Sequence, residues 1–122
     1  MNKIFLGEGE ITRAIINYFS LFIDGKLEVS KYLFMGADRV HVGFSLLVRD
    51  ENNTIIQKLR ITEKDLDEVF KNYLKESQNE YIEFKYIGGV RKEGYYQGEE
   101  VPYFDGIQIE TRPKEIEQNL AL

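Results

Sequence analysis

The sequence predicts an α+β fold: an antiparallel β-sheet of about five to seven strands with two main amphipathic helices packed on one face. Three observations lead there. Apolar residues at helical spacing mark two separate segments, alternating apolar and polar residues mark strands between and after them, and turn-forming residues join successive strands as hairpins. The expected order is β-α-β-β-β-α-β-β-β. Residues 1–122 read as a single domain, since a chain of 122 residues suits one core and no linker, low-complexity tract or internal repeat stands out.

The opening run around Ile4, Phe5 and Leu6 reads as a short strand. In the first helix Ile11, Ala14, Ile15, Tyr18, Phe19, Phe22 and Ile23 recur at i, i+3, i+4 and i+7, the mark of one buried face, and Asp24-Gly25 provides the stop. Ile16 and Leu21 lie off that stripe, so the helix is either buried on more than one side, the favoured reading, or presents apolar surface to a partner. Leu27 to Phe34 reads as a strand. From Arg39 to Arg49, Val40, Val42, Phe44, Leu46 and Val48 alternate with Arg39, His41, Gly43, Ser45 and Leu47, giving a strand with one core face. Asp50-Glu51-Asn52-Asn53 is turn chemistry, and Ile55, Leu59 and Ile61 mark the return strand of a hairpin over 39–61.

Thr62 is placed to cap the second helix, with Asp65 as the acidic partner of a capping box, and Leu66, Val69, Phe70, Tyr73 and Leu74 form its apolar stripe. A strand over Tyr81 to Ile87 follows, expected to break at Gly88-Gly89. Two more, Val90 to Tyr96 and Phe104 to Thr111, are joined through Gly98 and Pro102. Residues 113–122 read as a short C-terminal helix or tail, with Ile116 and Leu120 on one face.

Charge and composition narrow the function classes. Net charge is −5, and it is unevenly placed: residues 1–61 hold 8 Lys and Arg against 7 Asp and Glu, residues 62–122 hold 8 against 14. An acidic C-terminal half repels phosphate backbones and attracts basic partners. No cysteine is present, which excludes disulfides, thiolate metal sites and a cysteine nucleophile and suits a cytoplasmic location. The apolar runs are too short or too interrupted for a signal peptide or a membrane span.

Motifs for small-molecule chemistry are weak. Gly7-Glu8-Gly9-Glu10 lacks the six-position glycine fingerprint and a P-loop lysine, and its two carboxylates disfavour an anion at the helix start. The turn from Asp50 fails as a calcium loop, since Ile55 stands where Gly is required and Ile61 where Glu is. Arg91-Lys92 beside Tyr95 and Tyr96 is diluted by Glu93, Glu99 and Glu100, against direct nucleic-acid binding. His41 is the only histidine; it shares a strand face with Arg39, Gly43 and Ser45 and would serve as acid or base only if that face lined a cleft.

The segment Gly94 to Asp105 concentrates tyrosine, acid and glycine. Tyr95, Tyr96, Glu99, Glu100, Tyr103 and Asp105 are therefore the expected partner-binding residues: tyrosine offers contact area with few rotatable bonds, and the carboxylates steer a cationic surface. The expectation is a small acidic module that inhibits or escorts a basic partner protein, as an immunity protein neutralises a nuclease-type toxin or a mobile-element inhibitor blocks a nucleic-acid enzyme. It includes no catalytic set, cofactor, metal or membrane. Two alternatives stand beside it: a small enzyme or nucleotide-ligand-binding protein using His41, and a homo-oligomeric structural protein associating through Ile16, Leu21 or a strand edge.

Overall fold

The computed structural model describes residues 2–35, 40–92 and 100–115. Its elements run β1 (Asn2–Leu6), α1 (Glu8–Phe19), β2 (Lys26–Met35), β3 (Val40–Arg49), β4 (Ile55–Ile61), α2 (Glu63–Tyr73), β5 (Asn79–Lys92) and β6 (Glu100–Pro113). The fold is α+β with antiparallel strands, as the periodicities predict. The expected single sheet is corrected to two sheets of three strands, in the orders β1-β6-β5 and β2-β3-β4. One apolar cluster joins them: Leu6, Ile11, Ile15, Phe44, Leu46, Ile61, Leu66, Phe70, Phe104, Ile107 and Ile109 are all buried. Helix α1 packs on α2, β2 and β6, and α2 packs on β5.

Local chemistry explains most boundaries. The capping box forms as the sequence predicts: the Asp65 amide donates to Thr62 Oγ1 at 3.1 Å, and the Thr62 amide donates to Asp65 Oδ2 at 2.9 Å. Asp50 closes the β3–β4 turn by accepting from the Asn52 and Thr54 amides, with Asn53 in the left-handed region at φ 66°. Helix α1 stops at Phe19, earlier than its apolar stripe suggests. Leu21 and Phe22 then sit in the following turns at 58% and 68% exposure, so the expected burial of both is overturned. Ile16 is half-buried.

Gly88-Gly89 does not break a strand. β5 runs through both, with a register shift between Ile87 and Gly88 that leaves Asp105 unpaired on β6. The two expected strands on either side merge, reducing seven to six, and Pro113 ends β6 where the sequence suggested a tail. The expected helix around Ile116 and Leu120 lies outside the described residues, as does the 93–99 stretch.

An internal repeat, which the sequence reading missed, organises the whole. The order βαββ occurs twice, β1-α1-β2-β3 and β4-α2-β5-β6. Adding 55 to a residue number carries Leu6 to Ile61, Ile11 to Leu66, Ala14 to Val69 and Ile15 to Phe70, every one of them buried. The same step carries Val29 to Phe84 and Lys31 to Tyr86. A step of 63 carries Phe44 to Ile107 and Leu46 to Ile109. Registers obey both steps: Leu6 pairs with Ile107 as Ile61 pairs with Phe44, and Phe44 faces Lys31 as Ile107 faces Tyr86. Each sheet therefore takes the hairpin of one unit and the first strand of the other.

Candidate functional site

The hairpins outrun their third strands. β4 pairs with β3 only from Phe44 onward and β1 with β6 only from Ile107 onward, so Tyr32–Met35 with Val40–Gly43, and Gly88–Lys92 with Glu100–Phe104, continue as two-stranded ribbons. Both ribbons, the start of α2 and the middle of β5 enclose an open cleft of about 1030 Å³.

One wall is aromatic. Phe34 stacks on His41, its cross-strand partner, with centroids 5.0 Å apart and planes 10° apart, and on Tyr32 at 6.1 Å and 21°. Tyr32 and Phe34 remain 41% and 49% exposed. Tyr32 lies across Gly43, where a Cβ would collide with its ring. On the opposite wall Tyr103 covers Gly89 in the same manner and carries the Arg91 guanidinium 4.9 Å from its centroid. These glycines let rings lie flat on the backbone of the neighbouring strand.

Glu63 and Asp67 from α2 and Tyr86 from β5 line the floor, and Glu83 of β5 borders it with its carboxyl turned to Glu110. Burial, together with the negative charge of Glu63 and the nearby Tyr32 phenol, pushes the Tyr86 hydroxyl up to about 12. Tyr81 is raised above the ordinary phenol by burial and by its hydrogen bond to the Asp67 carboxylate. Glu83 is raised by its hydrogen bond to Glu110, then by repulsion from that carboxylate. Arg60 and Lys85 add positive charge, so the cleft mixes both signs with an excess of acid.

Of the residues singled out in the sequence, Tyr95, Tyr96 and Glu99 lie outside the described residues. Tyr103 is half-buried in the cleft wall. Glu100, paired with Lys92 on the ribbon, and Asp105, at the register shift, are exposed and do not line the cleft. His41 does line it, although Arg39 is outside the described residues and Ser45 is buried. Tyr32, Phe34, Glu63 and Tyr86 were missed. A signal for the first two was present: they continue the solvent face of β2 set by Glu28 and Ser30, where aromatic rings are out of place.

Set against known proteins, the chain matches no family model, no curated protein and no solved structure. Among the described residues no helix is long and apolar enough to cross a membrane.

Proposed function

We propose that this chain is a protein-binding module that grips a basic partner in the cleft between its two ribbons, inhibiting or escorting it. The observation that carries this reading is the Tyr32–Phe34 pair: two large rings, stacked and half in solvent, on the wall of a cleft that also presents Glu63 and Asp67. Aromatic anchors beside an excess of acid suit an interface with a basic partner, and their exposure costs the free protein solubility unless a partner covers them. Glu100 and Asp105, exposed on β6, extend the acidic field beyond the cleft and steer the encounter. An immunity protein for a nuclease-type toxin, or an inhibitor of a nucleic-acid enzyme, has this chemistry because such enzymes carry basic surfaces.

The test is the association rate with the partner captured from the source cells, measured against salt, for wild type and Phe34→Ala. A steep fall of the on-rate with salt, and a loss on the order of 2 kcal/mol of binding on truncating Phe34, are expected. A flat salt profile together with an unaffected Phe34→Ala would reject the reading.

His41 favours a second reading, a small enzyme using it as acid or base, because it shares the cleft with Glu63 and Asp67. Replacing His41 by Gln separates the two. A folded variant that binds the partner but loses activity supports catalysis, and an unaffected one removes it.

A further inference from the structure

The internal repeat shows what one of its two helix entries holds. Glu8, the first residue of α1, forms an ion pair with Lys31 on β2, and the Lys31 ammonium also lies 5.3 Å from the centroid of the Phe104 ring. The register-equivalent residues in the second unit are Glu63, the first residue of α2, and Tyr86 on β5. The carboxylate is thus repeated and the lysine is not. Glu63 lies in the open cleft, close enough to Tyr86 for its charge to act on the phenol, and has no ion-pair partner among the described residues, although Arg60 and Lys85 line the same cleft. Tyr32 stands on the facing wall.

We infer that this position takes the ammonium group of a lysine side chain supplied by the partner, held by Glu63 between the rings of Tyr86 and Tyr32, as Lys31 is held by Glu8 beside Phe104. The inference rests on the partner-binding reading and specifies its chemistry. A lysine stem is apolar and its head carries one charge, so it suits a cleft with aromatic sides and a carboxylate. The first unit fills the equivalent position from its own chain, so Glu8 is paired and, among the described residues, Glu63 is not.

The probe is n-butylammonium, the lysine head and stem alone, titrated into the full chain at constant ionic strength and followed by amide and side-chain NMR shifts, with n-butanol and methylguanidinium alongside. Saturable shifts at Glu63, Tyr86 and Tyr32 are expected for butylammonium. Glu63→Gln should weaken them by up to about fivefold, the upper end for one exposed charge pair, while Glu8→Gln leaves them unchanged. Tyr86→Lys, which copies the first unit, should occupy the site from within and abolish them; should it fail to fold, Glu63→Gln carries the test. Equal shifts in Glu63→Gln, a response to butanol as large as to butylammonium, or a preference for methylguanidinium would overturn the assignment. Partner binding of unchanged affinity in Glu63→Gln would overturn the lysine contact and leave the module reading standing, whereas intact ammonium binding with salt-independent partner association would do the reverse.

Discussion

Between the first βαββ unit and the second, the buried core positions stay apolar, whereas most solvent-facing ones diverge. Ile15 and Phe70 occupy the same place under the sheets, as do Leu6 and Ile61, although only size and apolarity are shared. At the helix entries the units part: Gly7 stands where Thr62 does, Lys31 where Tyr86 does, and Leu47, facing Glu28, where Glu110 faces Glu83. Packing tolerates exchange among apolar residues of similar volume, so it keeps the frame. A surface needed for binding has to differ, and the cleft that both units build holds the carboxylate that lacks an internal lysine.

That comparison is broken most forcefully in the core. Phe70→Ala should cost about 3–5 kcal/mol and its counterpart Ile15→Ala about 2–5 kcal/mol, since both side chains are fully buried. Urea unfolding should stay a single transition in each variant because the two units share one core and exchange first strands. Two separate transitions in either variant would show that the units fold independently.

The equivalent glycines Gly43 and Gly106 should respond unequally. A Cβ at Gly106, where φ is 157°, meets the backbone carbonyl of Leu6, whereas at Gly43 it meets the ring of Tyr32, which is partly exposed and can move. Gly106→Ala is expected to cost roughly 1–3 kcal/mol and Gly43→Ala less. The same urea midpoints check the order.

The two N-caps predict effects of opposite sign. Thr62→Ala removes one side of the capping box and should cost about 1 kcal/mol. Gly7 has extended backbone, no side-chain cap and open space around a would-be Cβ, so Gly7→Ser should stabilise by about 0.5 kcal/mol. A lower melting temperature for Gly7→Ser would contradict this account of the α1 entry.

The smallest effect is electrostatic. Glu83 is held above its ordinary value by the hydrogen bond to Glu110 and by the like charge across the ladder, whereas Glu28 faces Leu47 and pairs with Arg49 at 3.0 Å. A carboxyl raised on folding binds its proton more tightly in the native chain. Its contribution is complete below the unfolded carboxylate value and is lost as pH rises through the folded one. Glu110→Gln should therefore flatten the decline in urea midpoint above the ordinary glutamate range and leave the more acid side unchanged. Superimposable profiles would remove the pair from the pH response.

Much of the frame was legible in the residues. Periodicity located both helices, the capping box fixed the start of α2, and Asp50 with Asn53 closed the β3–β4 turn, because each depends on neighbours within a few positions. Gly88-Gly89 misled, since a glycine that ends a strand and one that lets Tyr103 lie across it look alike in sequence. The repeat left scattered traces, Asn17-Tyr18 against Asn72-Tyr73 at the helix ends, Glu8 against Glu63 and Glu28 against Glu83, but its buried matches are exchanges such as Ala14 for Val69. Of the site, Tyr103 and His41 were noticed as chemistry, while Tyr32, Phe34, Glu63 and Tyr86 were read as ordinary strand and helix residues.

The sequence by itself determined the presence of both helices, the β3–β4 hairpin, the cap of α2 and the acidic balance of the second half, all of them short-range or additive properties. Only the tertiary structure decided that the strands divide into two sheets, that the units exchange their first strands, and that Glu63 and Tyr86 from one come to face Tyr32 and Phe34 from the other. Pairing Leu6 with Ile107 joins the two ends of the chain, and no local preference encodes a contact of that span; it is selected by the burial that both halves gain together.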